Sequence, residues 1–283
     1  MFTRDSIIIS HNIKTPLTSI SRAVGDILQL TYGQLVKSLF ANGEQGFFYD
    51  PNDLSTMYQN AAGTIPVTTA GQPVGLMLDK SGRNNHAFQT VSASRPVLQR
   101  NATTGAYYLA FDGVDDFLQT NSINFTATDK VSLFTGMRRL SDAGVSTIAE
   151  FSANSVSNTN SFYLVVLSNG ASQFNSRGSG NSATASSQRF PAPAPVVISS
   201  VGDISGKVSK IRANSGGYAV NVGDQGTGNY GKYPLYIGRR GGTSLQFNGH
   251  IYGLIGIGKL VSDNEIVNIE KELAKRVGVT LNV

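Results

Sequence analysis

Short apolar runs separated by polar turns fill most of the chain after residue 46, and this pattern predicts a β-sheet protein. The runs are rich in Val, Ile, Leu, Phe and Tyr, whereas the turns hold much of the Gly, Ser and Asn. Their spacing is typical of an all-β sandwich. Strands are expected over residues 74–78, 106–111, 117–119, 131–136, 147–151, 162–167, 173–177, 196–203, 207–213, 234–238 and 249–257.

Two segments between these runs are predicted to be irregular. Residues 175–188 are rich in Ser, Gly and Ala, a composition that indicates an exposed loop. Residues 190–195 contain Pro191, Pro193 and Pro195. Because proline donates no hydrogen bond to a β-ladder, this segment is expected to be an extended connector at a sheet edge.

Residues 1–46 differ from the rest of the chain. Apolar residues between Ser19 and Phe40 recur at helical spacing, which predicts one or two amphipathic helices with Gly33 between them. We predict an N-terminal arm of residues 1–46 and a sandwich domain of residues 47–283. The arm is either a helix packed on its own domain or an anchor that docks the domain onto a larger structure.

A further helix is predicted near the C-terminus. Ser262 and Glu265 have the spacing of a capping box, in which each side chain accepts a hydrogen bond from the other residue's backbone N–H. Gly278 supplies a stop. The apolar residues that follow the box share one helical face: Ile266, Ile269, Leu273 and Val277.

The charge content narrows the classes of partner. Only 14% of the residues are charged, so the surface consists mainly of neutral hydrogen-bonding groups, which suits carbohydrate contact or packing within an assembly. The net charge is +5, but the basic residues are scattered, whereas nucleic-acid binders concentrate them on one face. We therefore expect no nucleic-acid partner.

The lengths of the apolar runs predict whether the protein enters a membrane or is exported. None reaches the ~18 residues that a membrane span requires, so no membrane insertion is expected. The run Ile7–Ile9 is too short for the core of a signal peptide, and synthesis in the cytoplasm without export is expected. The chain has no cysteine, which excludes disulfides and thiolate chemistry.

Three segments carry a family resemblance: Asp79–His86, Phe111–Leu118 and Phe247–Ile257, the last of which runs towards the C-terminal helix. Their order resembles the concanavalin A-like (laminin-G-like) jelly-roll domains of bacteriophage virion proteins. The opening segments Gly46–Leu54 and Gly71–Gly82 are similar to those of head- and tail-associated phage proteins. The resemblance implies an all-β jelly-roll sandwich with a small N-terminal arm and a closing C-terminal helix.

This resemblance also implies a function. We expect a virion structural protein, made in the host cytoplasm, that contacts other virion proteins through residues 1–46. Its sandwich would serve assembly contacts and the binding of a host-surface glycan, and a symmetric homo-oligomer would strengthen weak single sites by avidity. A carbohydrate-active enzyme and a free lectin are the alternatives.

Three groups of residues are candidates for ligand contact. Arg83, Asn84, Asn85 and His86 form either a polar patch or a turn held by its own side chains, with Asp79 accepting backbone N–H groups. Tyr107 and Tyr108 are candidate sugar platforms, together with Tyr230 and Tyr233. Arg239 and Arg240 lie in a Gly-rich segment, where we expect a hairpin whose arginines reach solvent or an acidic partner. His250 is expected to be a core residue with satisfied hydrogen bonds.

Asp112, Asp115 and Asp116 are a candidate calcium site, because Ca²⁺ takes six to eight oxygen ligands and some members of the resembled family bind it. Alternatively, Asp112 caps the Gly113–Val114 turn and leaves Asp115 and Asp116 in solvent. No other cofactor is expected.

Catalysis is not expected. Glycoside hydrolysis requires two carboxyl groups that flank the scissile bond, and the Glu-x-Asp-x-x-Glu motif of hydrolases with this fold is absent. Glu150 is the lone glutamate of the strand region. The enzyme alternative would pair it with Asp112, Asp115 or Asp116.

Overall fold

The computed structural model describes residues 31–282 and shows a two-layered β-sandwich with two helices on one side. The helices are α1 (Tyr32–Ser38) and α2 (Asp263–Val277). The strands, in chain order, are β1 Gly46–Tyr49, β2 Met57–Tyr58, β3 Leu76–Met77, β4 Ala87–Phe88, β5 Val97–Arg100, β6 Tyr107–Asp112, β7 Leu118–Thr120, β8 Ile123–Asn124, β9 Lys130–Arg139, β10 Ser146–Phe151, β11 Ser161–Val166, β12 Ala171–Arg177, β13 Ser182–Arg189, β14 Pro195–Asp203, β15 Val208–Ala213, β16 Ala219–Asn221, β17 Lys232–Tyr233, β18 Leu235–Ile237 and β19 Asn248–Ile257.

Two large antiparallel sheets form the sandwich. Sheet A has the order β16-β15-β14-β9-β19-β6-β5, and β1 pairs with the second half of β19 where β6 ends. Sheet B has the order β13-β12-β11-β10-β18-β7-β4-β3-β2. Strands β8 and β17 form a separate pair. The non-consecutive neighbours in both sheets agree with the predicted jelly-roll class.

The main core lies between the sheets and is rich in aromatic side chains. Phe151 stacks on Phe162 with ring centroids 4.9 Å apart, and Phe125 meets Phe151 edge-on at 5.0 Å. Such offset and edge-to-face pairs stabilise a core beyond the area they bury. All three rings are fully buried.

A second core lies between the outer face of sheet A and the two helices. Ile269 and Leu273 of α2 are fully buried in it, together with Val36 and Leu39 at α1. Glu270 also faces the sheet, where its carboxylate accepts two hydrogen bonds from Arg212, at 2.7 and 2.8 Å. The two helices therefore cover one face of one sheet.

Local sequence signals at α2 are confirmed. Ser262 and Glu265 form both hydrogen bonds of the capping box, and Gly278 ends the helix in the left-handed conformation at φ +82°. At the N-terminal side, α1 begins at Tyr32, so Gly33 lies inside the helix and does not separate two helices. The rest of the predicted helical segment, residues 19–30, lies outside the described residues. Within residues 31–282, neither helix has the length and apolar character needed to cross a membrane.

Three predictions about the strands are corrected. Residues 175–188 are not an exposed loop, because Ser182–Arg189 forms β13, which pairs with β12 at the edge of sheet B. Its Ser and Ala side chains alternate between solvent and core, with Ala183 and Ala185 buried. The connector ends sooner than predicted, since Pro195 is the first residue of β14, a position that proline tolerates. The strand predicted over 74–78 is only Leu76–Met77.

Candidate functional site

The outer face of sheet B carries one continuous row of side chains across all nine strands. The strand register places these residues opposite one another in turn, and their neighbours along each strand point into the main core. We call this set the transverse row; it consists of Tyr58, Leu76, Phe88, Gln119, Tyr236, Glu150, Tyr163, Asn175 and Thr184. Seven of the nine are partly exposed; Glu150 and Asn175 are buried.

The one carboxylate of the transverse row is neutralised within the protein. Glu150 is fully buried, and its Oε2 accepts a hydrogen bond of 2.7 Å from Nε of Arg240. Its Oε1 accepts from both the backbone N–H and the hydroxyl of Ser155, each at 2.7 Å. A buried carboxylate held by a cation and two further donors is satisfied, so its partners fix the two loops that lie against sheet B at this point.

Arg240 presents its guanidinium at the same place. Its side chain is 17% exposed, and the guanidinium carbon lies 5.5 Å from the ring centroid of Tyr163. Burial raises the pKa of the Tyr163 phenol, and the charge of Arg240 partly offsets this. Arg177 holds the neighbouring loop by donating to the carbonyl of Val156 at 2.9 Å. The result is an arginine stacked on an aromatic ring beside an ordered loop.

The segment predicted as a polar contact patch has a structural role in the fold. Asp79 accepts backbone N–H groups from Phe48, Ser81 and Asn85 at 2.9–3.0 Å, as its alternative interpretation predicted. Lys80 N–H donates to the carbonyl of Phe48, so the loop follows the outer edge of β1 and pairs with it.

The other predicted residues of this patch also contact the protein. Arg83 donates to the carbonyl of Phe40 at 2.8 Å, and the Asn85 amide donates to the carbonyl of Gly46 at 2.6 Å. His86 accepts the backbone N–H of Asp79 through Nδ1, whereas Asn84 is exposed at φ 60°. These contacts tie the loop to β1 and to the end of α1.

Tyr107 and Tyr108 are adjacent on β6 and therefore lie on opposite faces of sheet A. Tyr107 packs against the main core, and Tyr108 stacks on His250 on the outer face with ring centroids 4.0 Å apart. Of the other proposed sugar platforms, Tyr230 is 1% exposed and is unavailable to a ligand, and Tyr233 packs edge-on against a core phenylalanine.

His250 differs from the expected satisfied core residue. Its Nδ1 is buried without a hydrogen-bond partner among residues 31–282. Burial lowers the pKa of the imidazole from 6.5 to about 4, with a smaller contribution in the same direction from the nearby charge of Arg138. The ring is therefore neutral near pH 7.

The three aspartates of the candidate calcium site lie together in the turn between β6 and β7. Their carboxylates approach within 4.8 Å of one another. Asp112 Oδ1 accepts the backbone N–H of Val114 at 2.8 Å, so the predicted turn cap is present. Asp115 accepts the Ser94 hydroxyl at 2.6 Å.

Asp116 is not in solvent, which corrects the alternative interpretation of this turn. It is 6% exposed and accepts the backbone N–H of Asp112 at 3.0 Å. Burial raises the pKa of its carboxyl group from 3.8 to about 6, with a smaller contribution from the charges of Asp112 and Asp115. The donor set is of the type that a hard cation prefers, but several of its oxygens already accept hydrogen bonds within the turn.

The two adjacent arginines have different partners. Arg239 donates to the backbone carbonyls of Asp115 and Thr243 at 3.4 and 3.2 Å, so it connects the hairpin to the aspartate turn. Arg240 meets Glu150, which is an acidic partner within the same chain. The structure thus brings Arg239 next to the aspartate turn and Arg240 into the transverse row.

Sequence reasoning missed most of the transverse row. Tyr163 lies in a run that is apolar almost throughout, where no alternation marks its outward direction. Tyr58 and Phe88 lie on two-residue strands, which are too short for a period to show. The pairing of Glu150 with Arg240 was not visible because it spans 90 positions.

Comparison with solved structures shows the same type of fold. The binding domain of botulinum neurotoxin DC in complex with SialylT is similar to the chain with a TM-score of 0.51 and 14% identity, over 70% of this chain and 48% of the toxin chain. A Trypanosoma rangeli sialidase is similar with a TM-score of 0.50 and 9% identity, over 82% of this chain and 33% of the sialidase chain.

The match thus spans about half of the toxin chain and a third of the sialidase chain. No protein-family model matches the sequence, and no curated protein matches it significantly. At these low identities, the shared feature is the fold, a lectin-like β-sandwich.

Proposed function

We propose that the protein is a non-catalytic glycan-binding domain and that the outer face of sheet B is its binding surface. The observation that carries this proposal is the asymmetry of the sandwich. Both helices pack on sheet A, whereas the transverse row on sheet B keeps Tyr58, Phe88, Tyr236 and Tyr163 partly exposed. Partly exposed aromatic side chains flanked by amides form a surface with one apolar and one hydrogen-bonding component.

These side chains match the chemistry of a sugar. The C–H faces of a sugar ring pack on aromatic rings, and its hydroxyls hydrogen-bond with amide and hydroxyl side chains such as Gln119 and Thr184. A shallow surface of this type binds each sugar weakly, and several copies compensate through avidity. We propose a homo-oligomer for this reason.

The state of Glu150 favours binding over hydrolysis. A glycosidase needs two carboxyl groups that flank the glycosidic bond of the bound substrate. Glu150 is 0% exposed and its two oxygens are engaged by Arg240 and Ser155. An acid or nucleophile in that state cannot reach a glycosidic oxygen without losing its partners.

We further propose display of this domain on a virion. The resemblance of the sequence motifs to phage virion proteins supports it, and so does the position of α1. Because α1 packs on sheet A, the chain enters the sandwich on the side away from the transverse row. Attachment through residues 1–30 would leave sheet B facing outwards. If a variant that lacks residues 1–30 is still incorporated into assembled particles, this proposal is contradicted.

A glycan array with the full chain tests the binding proposal. We expect binding that Tyr236→Ala weakens and that Tyr108→Ala leaves unchanged. Tyr108 is the matched control because it is a partly exposed tyrosine on the outer face of the opposite sheet. If the full chain binds no glycan of the array, with or without calcium, the proposal is refuted.

A further inference from the structure

The aromatic residues of the transverse row are periodic. Counting strands from the edge at β2, the aromatic positions are the first, third, fifth and seventh: Tyr58, Phe88, Tyr236 and Tyr163. The positions between them are Leu76, Gln119 and Glu150. Since neighbouring strands lie about 4.8 Å apart, the aromatic residues recur at roughly 10 Å.

This period matches one type of ligand. In an extended β-1,4-linked polysaccharide, alternate sugar rings present the same face, so the repeat is two rings and is close to twice the strand spacing. A chain laid across the strands would place every second ring on an aromatic side chain. The distance from Tyr58 to Tyr163 is six strand spacings, or roughly 29 Å, which accommodates about six rings.

The charged side chains of the row indicate which class of polysaccharide it binds. The only carboxylate of the transverse row, Glu150, is buried and paired with Arg240, so the row presents no uncompensated negative charge. Arg240 uses Nε for that pair, and among residues 31–282 its two Nη groups have no partner. Its partly exposed guanidinium lies at the Tyr163 end of the row, on a protein of net charge +5. A planar guanidinium in this position is suited to a carboxylate.

We infer that the transverse row binds a linear acidic polysaccharide with a two-ring repeat, aligned across the strands with a uronate carboxylate at Arg240. This inference rests on the proposed glycan-binding function and adds the class of glycan and its direction. Branched or compact glycans would touch one or two of the aromatic residues, whereas an extended chain reaches Tyr58, Phe88 and Tyr236 and then Arg240, which lies over the ring of Tyr163.

Calorimetric titration of the full chain with defined oligosaccharides tests the inference. The probes are di-, tetra- and hexasaccharides of β-1,4-mannuronate, β-1,4-glucuronate and hyaluronan, with cellohexaose as the neutral comparison. We expect at least one acidic series whose affinity rises at least tenfold from disaccharide to hexasaccharide, falls with added salt and exceeds that for cellohexaose.

Substitutions in the transverse row test whether the oligosaccharides bind there. Phe88→Ala and Tyr236→Ala should each weaken the hexasaccharide by roughly two- to tenfold, the range for a lost aromatic contact, and barely affect the disaccharide. Tyr108→Ala is the matched control on the other sheet. Because Arg240→Gln alone would leave Glu150 buried without its cation, the paired variant Glu150→Gln with Arg240→Gln is used, and it should remove the preference for acidic chains.

The outcomes separate the two proposals. Affinity that does not depend on chain length, or that Phe88→Ala leaves unchanged, overturns this inference while the glycan-binding function stands. Cellohexaose binding as tightly as the acidic hexasaccharides overturns the acidic assignment. An absence of binding to every oligosaccharide and to the glycan array overturns both.

Discussion

Removing the N-terminal residues in two steps tests where the folded domain begins. The second core contains Tyr32, Val36, Leu39 and Phe40, which are 7%, 0%, 0% and 3% exposed. Burying a large apolar side chain stabilises by about 1.5–3 kcal/mol, so these four contribute on the order of 6–12 kcal/mol before the entropy of ordering α1 is deducted. A whole domain is stable by only about 5–15 kcal/mol. Deleting residues 1–46 should therefore unfold the protein or cost it most of its stability.

Deleting residues 1–30 should cost much less stability than deleting residues 1–46, because the shorter deletion leaves every described contact in place. Urea unfolding followed by circular dichroism measures both deletions. In the full chain, Val36→Ala should cost about 2–4 kcal/mol, and Val222→Ala, whose side chain is 72% exposed, is the matched control. If the protein lacking residues 1–46 unfolds at the same urea concentration as the full chain, α1 is a separable arm and the reasoning from burial is wrong.

Four further predictions concern polar groups. The pKa of His250 is lowered from 6.5 to about 4 in the folded protein, so between these pH values the unfolded chain binds a proton that the folded chain does not. Stability should therefore fall as pH decreases from 6.5 to 4. If the stability of His250→Gln depends on pH as steeply as that of the unaltered protein, this prediction is wrong. The raised pKa of Asp116, about 6, has the opposite effect, so stability should fall as pH rises from 4 to 6. Asp116→Asn should remove that decrease and be the more stable protein at pH 8, with the exposed Asp224→Asn as control. Excess calcium should leave the midpoint of urea unfolding unchanged, since Asp112 already accepts backbone N–H groups, and a raised midpoint that Asp116→Asn abolishes would reveal an ion site. Asp79→Ala should cost about 3 kcal/mol or more by stranding three backbone N–H groups, and an unchanged melting temperature would refute this role.

Features coded within a few residues were predictable. The capping box at Ser262 and the stop at Gly278 depend on side chains within one helical turn, and both are confirmed. The strands that were predicted from apolar runs are present with shifted ends, because a run of Val, Ile and Phe is buried whichever partner it finds. The turn cap of Asp112 is local in the same way.

Features that depend on pairing were not predictable. β13 was predicted as a loop because Ser and Ala have weak strand preference, yet the edge of β12 supplies its hydrogen bonds. The transverse row exists only once the register of nine strands is known, and a shift by one residue would turn its side chains into the core. Of the predicted contact residues, only Arg240 lies against the row, through a carboxylate 90 positions earlier in the chain.

The loop of Asp79 has a consequence for how copies of the protein can associate. An exposed strand edge is a template on which another chain can add a strand, and such addition leads to uncontrolled polymers. Here a carboxylate and one backbone N–H occupy the hydrogen-bonding positions of β1 that an incoming strand would need. Copies crowded together are thereby prevented from joining sheet to sheet at this margin.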